Sequence, residues 1–215
     1  MKITAVHTYA LSYPVIVPFA NSRMWNRART ASVVEVMTDA GISGWGEATR
    51  MPSRRSLDHH VIGKDPFDRE LIWNGLNAFG KGDIAAISAV DIALWDIAGK
   101  ALEMPIYQLI GGACRDAVPA YASGLFKMEG ADHMTALRDE ARGYVDMGFR
   151  AVKMKIGYGA AYDDRIVRVV REAIGPDVLL AVDANCAYDV GTALDVGYRI
   201  AERDLYWYEE PVAPE

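Results

Sequence analysis

Two lysines, an aspartate and a glutamate stand at the ends of three short apolar runs, and their spacing carries the chemistry of this sequence. The first run is Ala151-Val152-Lys153-Met154-Lys155-Ile156-Gly157. Side chains alternate faces along a strand, so Val152, Met154 and Ile156 share one side and Lys153 and Lys155 the other. In a (β/α) barrel the apolar side meets the helices. The lysines then point inward near the C-terminal end of the strand, where such folds keep their active sites. Two ammonium groups held close repel, which lowers at least one pKa and provides a neutral amine base near neutral pH. An edge strand with a solvated lysine face has the same alternation, and this segment alone does not choose between them.

The next run, Val178-Leu179-Leu180-Ala181-Val182, ends in Asp183-Ala184-Asn185. Parity places Asp183 and Asn185 on one face. Asp183 in this position is either a site carboxylate or the cap of the following loop or helix. Leu205-Tyr206-Trp207-Tyr208-Glu209-Glu210-Pro211 repeats the arrangement, with an acidic pair that offers one carboxylate inward. Hard oxygen ligands without His or Cys suit Mg²⁺ better than zinc. A metal held by Asp183 and Glu209 could bind a substrate carboxylate and stabilise the enediolate formed when a lysine removes the neighbouring proton. The four residues together say far more than any one of them.

These residues need parallel strands to bring them together, and the pattern supplies such strands. Arg150 to Ile156, Val178 to Asp183 and Leu205 to Glu209 read as strands, preceded by Val118 to Ser123. Ala131 to Met147 and Asp163 to Ile174 read as helices between them. Strand starts recur at about 30 residues, the size of a βαβ unit, which predicts a parallel sheet, open or closed as a barrel. A closed barrel needs eight strands and about 250 residues. The strands read here make either an open four-stranded sheet or the first part of a TIM-type barrel.

The front of the sequence is built differently. Ile3 to Tyr9 and Thr30 to Thr38 read as strands, and Asp39-Ala40-Gly41 turns the chain into a partner at Ile42 to Ala48. Phe19 to Arg27 reads as a polar, basic and aromatic loop. From Asp83, a plausible N-cap, Ile84, Ile87, Val90, Leu94 and Ile97 recur at helical spacing. The pattern predicts a domain boundary near Arg115, with an α+β domain over residues 1–115 and the parallel strands over 116–215.

Composition narrows the partners. Lys and Arg number 23 against 29 Asp and Glu, a net charge of −6 that argues against nucleic acid. No apolar stretch reaches the roughly 18 residues of a membrane span, and the opening residues do not read as a signal peptide. Cys114 and Cys186 follow no metal or disulfide spacing. A cytoplasmic homo-oligomer without nucleic acid or membrane partners is the expectation. Surface roles are expected for His7, His59, His60 and His133.

Two longer stretches resemble the mandelate racemase and muconate lactonizing group of the enolase superfamily. One runs from Ala86 through Asp91, Trp95, Asp96 and Lys100 to Gly111, and the other from Leu180 through Asp183-Ala184-Asn185 to Glu209-Glu210-Pro211. Tyr208 departs from the pattern, standing where the group usually has an aliphatic residue. The resemblance implies Lys155 as the base, with Lys153 helping to neutralise the substrate carboxylate. It implies Asp183 and Glu209 as metal ligands for Mg²⁺ and Asn185 as a substrate contact. It also implies that residues 1–115 are an α+β N-terminal capping domain and 116–215 the N-terminal part of a (β/α) TIM-type barrel, and that the cap's Phe19 to Arg27 loop, with Arg23 and Trp25, chooses a small carboxylic acid substrate. A third metal carboxylate and a second acid/base group are implied on later strands, outside Met1 to Glu215.

Tyr121 to Lys127, Lys153 to Gly159 and Glu209 to Glu215 look most like sugar-acid cycloisomerases and dehydratases, which adds Lys127 to the substrate contacts. The expected function is Mg²⁺-dependent removal of the proton alpha to the carboxylate of a sugar acid, as a lyase or isomerase. The alternatives are a racemase or epimerase of the same group, and a non-catalytic half-barrel that binds a ligand or partner.

Overall fold

The computed structural model describes residues 1–214; Glu215, the last residue of the second expected domain, lies outside them. Two compact units are present, Met1–Tyr13 with Arg29–Asp116, and Pro14–Ala28 with the described residues from Ala117 onward.

Strands β1 (Ile3–Ala20) and β2 (Trp25–Thr38) are neighbours whose Pro14–Ala28 portion belongs to the second unit; in the first unit β3 (Ser43–Ala48) pairs antiparallel with β2 from Ser32↔Ala48 to Met37↔Ser43. The turn between β2 and β3 uses Gly41 at φ +75°, as the Asp-Ala-Gly sequence predicts. Four helices follow: α1 (Arg54–His60), α2 (Arg69–Leu76), α3 (Ile84–Ala101) and α4 (Ile106–Leu109). Ser53 caps α1 by accepting from Ser56 N, and Asp83 caps α3 by accepting from Ala85 N at 3.1 Å. The predicted apolar stripe of α3 is buried at Ile87, Val90, Leu94 and Ile97, whereas Ile84 is exposed.

Helix α3 lies unusually close to β3. A Cβ on Gly44 would stand 2.0 Å from Ala93 O, and one on Gly46 would stand 1.9 Å from Ala89 O. Two glycines on the strand and alanines on the helix let backbone approach backbone. Ile3, Val6, Val34, Val36, Leu57 and Leu94 fill the core around that contact.

The expected Phe19 to Arg27 loop is mostly strand: β1 runs on to Ala20 and β2 resumes at Trp25, leaving Asn21–Met24 as the turn. Pro14 and Pro18 argue against a long strand because they lack an N–H. Here the ribbon around them is largely solvent-exposed, with Tyr13 and Ile16 open to water, so the missing donor is tolerated.

The second unit holds β4 (Ala122–Ser123), β5 (Lys127–Met128), α5 (His133–Asp146), β6 (Ala151–Lys155), α6 (Ala160–Ile174), β7 (Leu179–Asp183), α7 (Val190–Ile200) and β8 (Leu205–Glu209). Strand β5 pairs with the end of β1, Phe19↔Met128 and Ala20↔Lys127. The other four strands form a parallel sheet in the order β4-β6-β7-β8. Successive strands separated by helices are neighbours throughout. The sheet therefore winds in one direction, as in the first part of a (β/α) barrel, without the reversal of a doubly wound sheet. The first expected strand shrinks to Ala122–Ser123, because Pro119 offers no donor and Val118 is exposed.

Val152, Met154, Leu180 and Val182 pack against Leu137, Ile166, Val167, Val170, Val196 and Ile200. Each such burial stabilises by about 1.5–3 kcal/mol, and together they fix which strand face is left for polar side chains. Asp132 and Asp189 cap α5 and α7 by accepting from Thr135 N and Thr192 N. At the N-terminal edge of the sheet Arg171 donates to the carbonyls of Gly175, Val178, Arg203 and Asp204. Among the described residues no helix is long and apolar enough to cross a membrane.

Candidate active site

The apolar parity of β6 leaves Lys153 and Lys155 on the opposite face, and the parallel register does the rest. Lys155 is the partner of Asp183, and Asp183 is the partner of Glu209, so the ends of β6, β7 and β8 are level. Lys155 Nζ donates to Asp183 Oδ2 at 2.5 Å. Lys153 Nζ donates to both Glu209 oxygens at 2.8 Å and stands 3.8 Å from Asp183 Oδ2. Asp183 is only 2% exposed in its side chain. Of the acidic pair at the end of β8, Glu209 turns inward and Glu210 faces solvent at φ +43°.

Lys153 does not follow the expectation that repulsion lowers the pKa of at least one lysine. Burial by itself would lower the Lys153 ammonium, but the hydrogen bonds and charge of Glu209, with Tyr121 and Asp183, outweigh it, and its pKa is raised. The lysines are not left to repel each other, because each has its own carboxylate.

Asn185 completes the group. Its backbone N–H donates to Asp183 Oδ1 at 2.9 Å and its Nδ2 to Asp183 Oδ2 at 3.2 Å. Its Oδ1 is buried without a hydrogen-bond partner. Asn185 and Cys186 both have left-handed backbones, at φ +50° and +57°, a strained geometry of the kind found at ligand sites. The strand ends are zipped by Ile156 N to Asp183 O, Ala184 N to Glu209 O and Cys186 N to Glu210 O.

Aromatic side chains frame the charges. Trp207 Nε1 donates to Glu209 Oε2 at 3.0 Å, and Trp207 meets Tyr121 edge-on at 5.3 Å. Lys153 Nζ lies 5.8 Å from the Tyr121 ring and Lys155 Nζ 5.5 Å from the Phe126 ring. Phe126 in turn packs on Phe19, 4.8 Å away. Sequence reading missed Phe126, Tyr121 and Trp207 as neighbours of the lysines, although strand parity puts Trp207 on the face of Glu209.

The other expected contacts stand further out. Lys127 lies on β5, with its Nζ 5.9 Å from the Tyr158 ring. Arg23 is exposed in the hairpin turn and Trp25 is exposed at the start of β2. Among the described residues neither makes a hydrogen bond to the lysine–carboxylate cluster. His133, expected on the surface, is buried: its Nδ1 pairs with Tyr162 OH at 2.8 Å and its ring stacks on Tyr162. It opens an amphipathic helix, and the inward face of the first turn is where an apolar residue would be expected.

The donor set suits a hard divalent cation. Two carboxylates on adjacent strands, already holding positive charge from two ammonium groups, lie beside an unpartnered buried amide oxygen. Mg²⁺ characteristically takes one or two protein carboxylates and completes its shell with other oxygens. Among the described residues no group of three or more His, Cys, Asp or Glu side chains is placed to hold a metal.

Comparison with known proteins gives the class. Residues 3–111 match the model of the mandelate racemase/muconate lactonizing enzyme N-terminal domain, and residues 136–215 match the enolase C-terminal domain-like model. The chain belongs to the mandelate racemase/muconate lactonizing enzyme family of the enolase superfamily. It is similar to D-galactarolactone cycloisomerase of Agrobacterium fabrum, at 40% identity over all of this chain and 60% of that protein. It is also similar to arabinonate dehydratase of Saccharolobus solfataricus, at 37% identity over 83% of this chain and 51% of that one. Among solved structures, a dipeptide epimerase from Enterococcus faecalis, complexed with Mg and the dipeptide L-Leu-L-Tyr, has a TM-score of 0.84. It is 28% identical over 99% of this chain and 62% of its own length. The chain thus spans 51–62% of the length of these relatives.

Proposed function

We propose that this chain carries the proton-abstracting half of an active site that acts on the carbon alpha to the carboxylate of a sugar acid, in a lyase or isomerase reaction. The observation that supports it best is the register of Lys155, Asp183 and Glu209 across three adjacent strand ends. That register sets two amines against two carboxylates.

In this reading Lys155, at the strand end beside Asp183 and 5.5 Å from the Phe126 ring, first releases the proton that pairs it with Asp183 and then, as a neutral amine, accepts the α-proton at Nζ. Lys153 remains an ammonium and offsets charge on the substrate carboxylate, in keeping with its raised pKa. Asp183 and Glu209 would hold Mg²⁺, which when bound supplies a fixed positive centre for the substrate carboxylate and so acidifies the α-proton. Asn185 Oδ1, buried and unpartnered, is free to accept from a substrate hydroxyl. Lys127 on β5, Arg23 in the hairpin turn and Trp25 at the start of β2 contribute to substrate choice.

The sugar-acid assignment is supported by the identities of 40% and 37% to the cycloisomerase and the dehydratase, against 28% to the dipeptide epimerase. An epimerase would use the same first step, so substrate class is the point to test. The protein is incubated with Mg²⁺ in deuterated water and a panel of aldonic acids, aldaric acids and dipeptides. Loss of the α-proton signal and product formation are followed by NMR. Selective turnover of the sugar acids is expected; exchange confined to dipeptides would overturn the assignment in favour of an epimerase.

A further inference from the structure

Asp163 is a fully buried carboxylate that the chemistry above leaves unused. It sits in the first turn of α6, and it turns back on the loop that leaves β6. Oδ1 accepts from Gly157 N at 3.2 Å and Tyr158 N at 3.1 Å, and Oδ2 accepts from Gly159 N at 3.0 Å. Three consecutive backbone donors, starting two residues beyond Lys155, thus converge on one side chain. The same carboxylate also accepts a short hydrogen bond from Tyr188 OH, and Tyr188 belongs to the loop that leaves β7 beyond Asp183. Tyr188 N donates to Pro211 O, which ties that loop to the end of β8.

The loop it grips has no slack. Gly157 has φ +109°, and a Cβ there would stand 2.4 Å from Ser22 Cβ and 2.9 Å from Ala184 O. Ser22 Oγ itself donates to Ala184 O at 2.8 Å. A parallel arrangement flanks β6 on its other side: Glu140 of α5 accepts from Leu125 N at 2.9 Å and from Tyr144 OH at 2.7 Å, just beyond β4. A helix carboxylate paired with a tyrosine hydroxyl pins the loop on each side of the lysine strand.

We propose that Asp163, with Tyr188, is a positioning residue that couples the ends of β6 and β7 and so holds Lys155 Nζ against Asp183. Its significance for catalysis rests on the reading of Lys155 as the base, but the coupling can be tested without turnover. A buried carboxylate that accepts four hydrogen bonds and touches neither lysine is difficult to explain as surface charge. Preorganisation of a reacting group by buried hydrogen bonds behind it explains the arrangement.

The test compares the wild-type chain with Tyr188→Phe, Asp163→Asn and, at the opposite edge of the sheet, Arg171→Lys. Isotope-labelled protein is followed by NMR, reading amide exchange at Gly157, Tyr158 and Gly159 and the ammonium signal of Lys155. Tyr188→Phe and Asp163→Asn are expected to speed exchange of these amides about tenfold or more and to shift or erase the Lys155 signal. Arg171→Lys is expected to lower the melting temperature and leave that signal unchanged. Should Asp163→Asn fail to fold, Tyr188→Phe decides alone. An unchanged Lys155 signal in Tyr188→Phe, or an equal change in Arg171→Lys, would overturn the proposal. A protein that shows the coupling yet exchanges no α-proton keeps the clamp and loses the proposed function.

Discussion

Lys155 and Asp183 are register partners on adjacent parallel strands, and their charged atoms stand 2.5 Å apart. The pair is nearly dry, with the Lys155 side chain 12% exposed and that of Asp183 2%. Buried pairs of this kind rarely improve stability over an apolar equivalent, but losing one member leaves the other stranded.

That asymmetry gives the first prediction. Lys155→Ala should destabilise the chain by about 3 kcal/mol without added Mg²⁺, at the low end because Asn185 still donates to Asp183. Added Mg²⁺ should then raise the melting temperature of the variant more than that of the wild type, since binding to the native state alone stabilises it. Thermal unfolding with and without Mg²⁺ checks this. An equal response in both proteins would remove Asp183 from the metal site.

Asp183→Asn and Glu209→Gln should each weaken Mg²⁺ binding at least tenfold by calorimetry, because each removes one of the two candidate carboxylate ligands. Glu210→Gln, one residue further along and exposed, should leave the affinity within about twofold, the scale expected of a surface charge. Equal losses at Glu209 and Glu210 would contradict the inward assignment of Glu209.

His133 should make stability pH-dependent. Burial first, and Lys127 second, hold its imidazole below the ordinary value of 6.5, with Asp132 opposing. The unfolded chain therefore takes up the proton before the folded one. The contribution of neutral His133 is fully present above about pH 6.5 and is lost as pH falls through the lower folded value. Urea unfolding should show wild type losing more stability than His133→Phe between pH 7.5 and pH 5, both about the usual working range. Parallel pH profiles would count against a buried neutral histidine.

Gly46→Ala should cost about 3 kcal/mol, the upper end of overpacking effects. The added Cβ meets a helix carbonyl at 1.9 Å, and that oxygen cannot move without α3. A loss below about 0.5 kcal/mol, the scale of ordinary surface substitutions, would mean that α3 lies further from β3 than described.

Much of this architecture was legible beforehand because it depends on local pattern. Alternation in Val152 to Ile156 fixed the lysine face, and the apolar runs ending in Asp183 and Glu209 fixed two neighbouring strands. What local pattern cannot see is partnership. Repulsion between the lysines predicts a lowered pKa for at least one of them, but that of Lys153 is raised, despite burial, by a carboxylate 56 residues away in sequence. The hairpin through Phe19 to Arg27 was hidden by Pro14 and Pro18, and β5 by its length of two residues. The sequence pattern marks Asp163 only as the start of a helix. An acidic residue in a first turn just after Gly157-Tyr158-Gly159 is a signal for backbone capture that could have been read.

The measurement closest to the central claim is exchange of the α-proton of a sugar acid with deuterated solvent, with Mg²⁺ present, in wild-type protein and in Lys155→Ala. The proposed role of Lys155 predicts a fall of about a hundredfold or more on substitution, the usual scale for a lost general base, while calorimetry shows Mg²⁺ still bound. Exchange in Lys155→Ala at the wild-type rate would contradict the assignment of Lys155 as the base.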